Sequence, residues 1–284
     1  MSFKNLSKTF TYLNENGAGI VFEADYGFII NKPRGIDTLT VRHNQAQGIN
    51  QVGSTVQSSN VQSRPVTVSG ILVGSFQAEN KEKLLSVVRP DLSARLYADD
   101  YYLEVRPSAT PTIEPRPQFA AFQFQLLAAY PYWQKDDSAS ATLSGVAKRF
   151  RFPWNISRAY RFGEVMSALF INVQNDGQVP IPYTVTFRAL AEVQNPKLID
   201  AATNKYLLLN KTLVAGETVT IEITHERTYV NSSVDGECRG ALDLASSFFR
   251  LAVGDNVIKP EASSGKENLQ VNIDFATEVV GISL

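Results

Sequence analysis

Short alternating runs broken by turn residues constrain the fold of this chain most, and they are densest between Asn175 and Ile223. In the run after the turn at Asn175, the side chains of Tyr183, Val185 and Phe187 alternate with polar side chains. Alternation with a period of two is typical of a strand that buries one face. This part of the chain is therefore predicted to form strands.

Three further turn signals divide the same stretch into four strand-like segments: Asn195-Pro196, Ala202–Lys205 and Gly216-Glu217. The residue before a proline is pushed out of the helical region, and glycine with small polar residues favours turns. Since no helical period separates the segments, the stretch predicts an antiparallel sheet.

The first half of the chain also consists mainly of short strand-like runs, and it contains one good helix candidate. The runs are Gly19–Glu23, Phe28–Lys32, Thr38–His43, Pro65–Val73, Arg95–Ala98 and Tyr101–Val105, the last two forming a predicted hairpin around Asp99-Asp100. The helix is predicted over Gln77–Val88, with Asn80 as its N-cap and Leu84, Leu85 and Val88 as its apolar stripe.

A change of composition after Trp133 predicts a domain boundary. Phe122, Phe124 and Leu126 alternate with glutamines in a clear strand, whereas residues 134–144 are polar and small. Domain boundaries fall in exposed polar linkers. The prediction is a domain over residues 1–133, a linker over 134–144 and a second domain over 145–284. The fold class is mainly β, with an N-terminal β-sandwich-like domain that has one helix, followed by an antiparallel β-sandwich. Whether the last strand, Gln270–Leu284, stays in the second domain is left open.

One stretch of the first domain, residues 44–63, contains no charged residue and no proline. Isolated apolar residues recur through it: Ile49, Val52, Val56 and Val61. Such long loops are usually functional or disordered. The stretch is either a plain surface loop or an extended segment that becomes ordered on a second copy of the chain, with these four residues as inter-subunit contacts.

Composition excludes several classes of protein. The hydrophobic fraction of 44% and the charged fraction of 19% are ordinary for a globular protein. The formal net charge is −1, and neither half is basic, so the electrostatic footprint of a nucleic-acid-binding protein is missing. The lone Cys238 excludes a disulfide scaffold. Neither a signal peptide nor an apolar run long enough to cross a membrane is found, which predicts synthesis in the host cytoplasm.

Residues able to support catalysis do not occur in recognisable patterns. His43 and His225 lie far apart and lack the spacing of zinc ligands, and Cys238 has no nearby base. We therefore predict no catalytic, cofactor-binding or metal-binding residue. Aromatic residues suggest a second hypothesis, because Trp133, Trp154 and Tyr160 could stack on sugar rings. Of these, Trp154 and Tyr160 are the candidate sugar contacts.

Several motifs, taken in order, resemble the siphophage distal tail protein family. They are the Asn-x-Gly turn followed by proline, Asn195-Pro196, Thr203-Asn204-Lys205, Gly216-Glu217, the segment Ser247–Leu251 with Gly254–Asn256, and Tyr130–Trp133 at the domain junction. Together they span most of the chain. The resemblance implies a jelly-roll second domain of the galectin or carbohydrate-binding-module type.

The resemblance also implies a structural function in the virion, at the tip of a phage tail. The first domain would build a homohexameric ring between the tail tube protein and the tail-associated fibre or lysin. The second domain would project outward and carry parts for host adsorption, such as receptor-binding proteins, while DNA passes through the lumen unbound. The alternative hypothesis is a two-domain carbohydrate-binding adhesin. The size of the assembled protein distinguishes the two.

Overall fold

The computed structural model describes residues 9–74, 77–143, 145–147, 164–166 and 170–282. The chain forms two compact units. Unit 1 consists of Met1–Asp136 and Glu278–Leu284, and unit 2 consists of Asp137–Thr277. Unit 1 is therefore built from two separate stretches of chain, between which the whole of unit 2 is inserted.

Two main antiparallel sheets form unit 1, and most of their longer strands alternate buried side chains with more exposed ones. The strands are β1 (Phe10–Asn14), β2 (Gly19–Phe22), β3 (Phe28–Ile30), β4 (Val41–Ala46), β5 (Thr55–Val61), β6 (Arg64–Leu72), β7 (Ala94–Ala98), β8 (Tyr101–Pro107), β9 (Thr112–Pro115), β10 (Ala120–Ala128) and β11 (Trp133–Leu143). One sheet has the order β2-β1-β7-β8-β11 and the other β3-β6-β10-β9, and the two are joined where β10 also pairs with β8. The strands β4 and β5 form a separate two-stranded sheet.

Aromatic side chains dominate the core between the two main sheets of unit 1. Phe22 packs edge-to-face on Phe28 with ring centroids 5.8 Å apart, and Phe122 stacks beside Phe124 at 6.3 Å. Tyr12 meets Phe124 edge-to-face at 6.2 Å. All five residues are buried. Such pairs stabilise a core beyond their buried area, which explains why this domain holds two sheets face to face.

The helix α1 spans Gln77–Val87, close to the predicted bounds. The predicted role of Asn80 is wrong, because Asn80 lies inside the helix and its Nδ2 donates to the carbonyl of Tyr26 at 2.9 Å. The predicted apolar stripe is correct for Leu84 and Val88, which are buried, whereas Leu85 is exposed. Asn80 therefore connects the helix to the chain beside β3 instead of capping it.

Residues 134–144, predicted as a linker, lie almost entirely in strand β11. The backbone of Asp136 donates to the carbonyl of Asp100 at 2.8 Å, so the chain is still paired where the composition becomes polar. The two stretches that join the units are both strands, since the last strand of the chain runs from Leu269 to Val279. A stretch of small polar residues has the composition of a linker. It can still form a strand, because the backbone groups that pair with a neighbouring strand are the same whatever the side chains are.

Unit 2 contains two larger antiparallel sheets, and the buried side chains of their strands form its core. Its strands are β12 (Gly145–Ala147), β13 (Glu164–Met166), β14 (Ile171–Asn175), β15 (Thr184–Ala189), β16 (Val193–Gln194), β17 (Lys197–Asp200), β18 (Tyr206–Leu208), β19 (Thr212–Leu213), β20 (Thr218–Ile223), β21 (Thr228–Ser232), β22 (Gly236–Glu237), β23 (Gly254–Glu261) and β24 (Leu269–Val279). The sheet orders are β24-β15-β20-β21-β22 and β14-β23-β17-β18.

The sequence pattern around Tyr183 is confirmed in unit 2. Tyr183, Val185 and Phe187 are all buried, and β17 and β18 form the predicted hairpin. The mainly β fold class with two β-sandwich-like domains is also confirmed, and α1 is the one α-helix among the described residues. In the described part of the chain, no helix is long and apolar enough to cross a membrane.

Candidate functional site

The hairpin of β4 and β5, which we call the arm (residues 41–61), is the most unusual surface of unit 1. Its strands pair in an antiparallel ladder from Val41 opposite Val61 to Ala46 opposite Thr55. Every residue of both strands is exposed, so the arm presents both of its faces to solvent. A two-stranded hairpin without a packed face is marginally stable in water. An arm of this kind is stabilised when a partner covers one of its faces.

Polar side chains pair across the arm in place of charges. The ring Nδ1 of His43 lies 2.8 Å from the hydroxyl of Ser59, and the amide of Asn44 donates to the hydroxyl of Ser58 at 2.9 Å. At the tip, the Ser54 hydroxyl donates to Gln45 Oε1 at 2.7 Å. These bonds align the two strands. The predicted single extended segment is therefore wrong in form, because the two halves of the arm pair with each other.

The ladder places the apolar residues of the strands on one face of the arm. Val41 stands opposite Val61, and Val56 stands opposite Gln45, with the His43–Ser59 pair between them. Val41, Val56 and Val61 retain 40%, 52% and 43% of their exposure. We call this the valine face. The opposite face carries the charged Arg42 and otherwise polar or small side chains, from Asn44, Ala46, Thr55, Ser58 and Asn60.

The four predicted contact residues divide between the valine face and the tip. Val56 and Val61 belong to the valine face, whereas Ile49 and Val52 lie in the turn at the tip, with relative exposures of 98% and 101%. The left-handed backbone of Asn50 and Gly53 forms this turn. Sequence reasoning did not identify Val41 as a contact residue. Its place in a strand-like run, next to Arg42 and His43, could have shown that it shares a face with other apolar residues. Contact of these residues with a second copy stays a prediction.

A cluster of ionisable groups in unit 2 surrounds the buried carboxylate of Glu217. Lys211 Nζ lies 2.9 Å from Glu217 Oε1 and 2.6 Å from Asp235 Oδ2. The hydroxyl of Ser232 donates to Glu217 Oε1 at 2.6 Å, and the backbone of Val214 donates to Oε2 at 3.0 Å.

These bonds decide the chemistry of the cluster. Burial by itself raises the pKa of Glu217, but the hydrogen bonds from Ser232 and Lys211 outweigh it and hold this pKa below its usual range. Both carboxylate oxygens of Glu217 accept hydrogen bonds from the protein. The arrangement links the turn before β20 to strand β21.

The two histidines and the cysteine belong to different elements: His43 lies in strand β4 of unit 1, and His225 and Cys238 lie outside the strands of unit 2. His43 is on the arm, and His225 Nε2 lies 3.7 Å from a carboxylate oxygen of the adjacent Glu226. Burial raises the pKa of the Cys238 thiol, which favours the protonated and less nucleophilic form. Among the described residues, no group of three or more His, Cys, Asp or Glu side chains is placed to hold a metal ion.

We therefore expect alanine at His43, His225 or Cys238 to leave function intact. Each single variant should lose no more than about 1 kcal/mol of stability, because none of these side chains is fully buried. Thermal unfolding and assembly of the purified variants, compared with the unchanged protein, check this. Complete loss of function in a correctly folded single variant would contradict it.

The aromatic residues considered for sugar binding do not form a described site. Trp154 and Tyr160 lie outside the described residues. Trp133 is fully buried, and its Nε1 donates to the carbonyl of Ile36 at 2.9 Å. The predicted stacking of a sugar on Trp133 is therefore wrong, because a stacking ring needs at least one face exposed to solvent and Trp133 has none.

Comparisons with known proteins give one family and one shared fold. Residues 176–279 match the family model described as "Siphovirus-type tail component, C-terminal domain". No curated protein matches the chain. The crystal structure of the phage SPP1 Dit protein, described as "a Paradigm of Hub Adsorption Apparatus in Gram-positive Infecting Phages", matches with a TM-score of 0.67 and 14% identity, over 95% of this chain and 98% of that chain.

A chain of the phage P2 baseplate in its activated conformation with calcium matches with a TM-score of 0.52 and 10% identity, over 98% of this chain and 100% of that chain. At these identities the two likenesses show a common fold. The family match confirms the predicted resemblance over residues 176–279, and the likeness to the SPP1 Dit protein shows that the chain shares its fold.

Proposed function

We propose that this chain, whose residues 176–279 match a siphovirus-type tail component and whose fold is that of the SPP1 Dit protein, is a structural component of a phage tail tip. In this proposal it is not an enzyme. It forms a ring of about six copies. Head-to-tail contacts between identical chains produce either a closed ring or an open filament, and a ring with cyclic symmetry leaves no contact unused. The observation that carries the ring is the arm, with both faces exposed and none of its residues from 44 to 61 charged.

The arm is suited to contact a second copy for physical reasons. Residues 44 to 61 and the valine face carry no fully charged side chain, so a partner can cover them without desolvating a charge, which is strongly unfavourable. The valine face supplies apolar area, while Ile49 and Val52 at the tip supply two more exposed apolar side chains. Among the described residues, the outer edges of β4 and β5 pair with no other strand, so they offer backbone groups for strand addition. We therefore assign Ile49, Val52, Val56 and Val61, together with Val41, to the contact between copies.

The remaining partners follow from the place of a ring in a tail. We propose that unit 1 lies between the tail tube protein and a tail-associated fibre or lysin, and that unit 2 projects outward to carry receptor-binding parts. DNA passes through the lumen without specific binding. The net charge of −1 agrees with this, since a strongly basic lumen would hold the phosphate backbone. The proposed location is the tip of the tail in the virion.

Sedimentation velocity of the purified chain tests the ring. We expect one dominant species of about six copies at micromolar concentration, because a closed ring saturates every contact. Negative-stain images of the same sample should show an annular particle. A protein that stays monomeric up to about 100 μM, far above the affinity of stable protein contacts, would contradict the proposal.

A further inference from the structure

The five residues 278–282, which we call the return segment, complete the core of unit 1 although the chain reaches them only after unit 2. Ile282 is 4% exposed within the same core as Trp133, and its backbone lies 3.4 Å from the carbonyl of Ile36. Glu278 is 2% exposed and accepts a hydrogen bond from the buried hydroxyl of Tyr130 at 2.5 Å. Unit 1 therefore lacks part of its interior until the return segment is in place.

One buried arginine joins the return segment to two other stretches of unit 1. Arg64 is 2% exposed. Its Nε donates to the carbonyl of Pro131 at 2.7 Å, and its Nη1 donates to the carbonyls of Gly35 and Ile36 at 2.9 and 2.8 Å. Its Nη2 donates to the carbonyl of Val280. All four acceptors are neutral carbonyls, and they satisfy the buried guanidinium with hydrogen bonds, while the charge of Asp37 also acts on it.

Close backbone packing makes the return segment selective for glycine at one position. A Cβ atom at Gly281 would lie 2.8 Å from the carbonyl oxygen of Asp37 and 3.0 Å from two further backbone atoms of that residue. Backbone atoms cannot turn aside as a flexible side chain can. The return segment is thus a fitted part of unit 1 and not a loosely attached end.

Folding of unit 2 brings the return segment close to the rest of unit 1. Unit 2 is one continuous stretch, Asp137–Thr277, so all of its contacts can form before residue 278 is needed. Strands β11 and β24, which lead into and out of unit 2, are neighbours in the sheet order, and the Ser140 hydroxyl donates to Asn272 Oδ1 at 3.0 Å. Folding of unit 2 therefore replaces a very long loop by a short connection, which lowers the entropic cost of closure.

From these contacts we infer that the return segment makes completion of unit 1 depend on completion of unit 2. Unit 2 folds first, the return segment then fills the core of unit 1, and Arg64 gains its last acceptor. A chain that stops within unit 2 has no complete unit 1. If the proposed ring is correct, incomplete chains are thereby kept out of it. The order of folding itself does not depend on the ring.

Pulsed hydrogen exchange during refolding of the unchanged chain tests the order directly. After dilution from denaturant, mass spectrometry follows the backbone protection of peptides from each unit. We expect peptides from unit 2 to become protected before those of unit 1 that contain Ile36, Arg64 or Trp133. Protection of unit 1 before unit 2, or of both together, would overturn the inference. The experiment is run below the concentration of assembly, so failure of the ring proposal leaves its outcome unchanged.

A glycine substitution tests the role of the return segment at equilibrium. Gly281→Ala places a Cβ atom against the backbone of Asp37, whereas its control, Gly240→Ala in unit 2, has no atom within 4 Å of the new Cβ. We expect Gly281→Ala to speed hydrogen exchange in unit 1 by about ten-fold or more, because the added Cβ displaces the return segment and unit 1 then opens more easily. Exchange in unit 2 should be unchanged, since separate cooperative units open independently. The control should change neither unit. Equal exchange of unit 1 in the two variants would overturn the inference.

Discussion

Replacing Arg64 with methionine should lower the stability of unit 1 by about 3 kcal/mol or more, the largest effect we expect from one substitution in this chain. Methionine fills much of the same volume, so the loss comes from hydrogen bonds and not from a cavity. The buried carbonyl of Pro131 and the partly buried carbonyl of Gly35 would each lose the donor that Arg64 supplies. A buried carbonyl without a donor costs about 1–3 kcal/mol.

Hydrogen exchange of unit 1 peptides at increasing urea measures this loss. The stability of Arg64→Lys should lie between those of the unchanged protein and of Arg64→Met. A lysine keeps the charge but cannot bind three segments with one planar group of donors. Arg89→Met is the matched control. Arg89 is an exposed arginine paired with Asp91 on the surface, and exposed pairs are worth about 1 kcal/mol or less. Equal losses for Arg64→Met and Arg89→Met would show that the buried guanidinium does not hold unit 1 together.

Replacing Gly48–Asn60 of the arm with a short Gly-Ser linker should abolish the assembly and leave a folded chain. The residues removed include Ile49, Val52 and Val56, and none of the residues in the arm's strands is buried, so the cores of both units keep their contacts. Sedimentation velocity at low concentration is the measurement, and we expect the species of about six copies to be replaced by a monomer. An unchanged oligomer would show that the arm is a plain surface loop.

Finer variants separate the two faces of the arm. Val56→Asp with Val61→Asp places charge on the valine face, whereas Ser58→Asp with Asn60→Asp places the same charge on the opposite face. If a second copy covers the valine face, the first pair should weaken assembly much more, because a buried unpaired charge is strongly unfavourable. Equal weakening by both pairs would mean that both faces, or neither specifically, take part. A Gly-Ser replacement of the exposed hairpin tip Ala202–Asn204 in unit 2 controls for loop surgery itself.

Local pattern was sufficient for most of the strands and for the position of the arm. The alternation of Tyr183, Val185 and Phe187 predicts a strand because burial of one face is a local property of the sequence. The absence of charged residues from position 44 to 63 is also a local property, and it was sufficient to locate the arm. Its hairpin form was missed, since Gln, Ser and Asn carry little strand preference and the bonds between them become visible only once the two halves face each other.

Long-range contacts are what the sequence could not supply. Arg64 precedes a proline at the start of a strand, which reads as an ordinary exposed position, yet it is 2% exposed. Its acceptors come from residues 35, 36, 131 and 280, and no local pattern relates these positions. The return of residues 278–282 to unit 1 was left open for the same reason. Trp154 and Tyr160, the predicted sugar contacts, stay predictions.

The insertion of unit 2 between adjacent strands of the chain has a consequence for how such proteins diversify. The chain leaves along β11 and returns along β24, and these strands are neighbours. Any domain whose two ends lie as close together could be grafted at the same place without altering the chain path of unit 1, since exchange of whole domains succeeds where the ends are near each other. The fold of unit 1 can therefore be kept while different domains are inserted between these two strands.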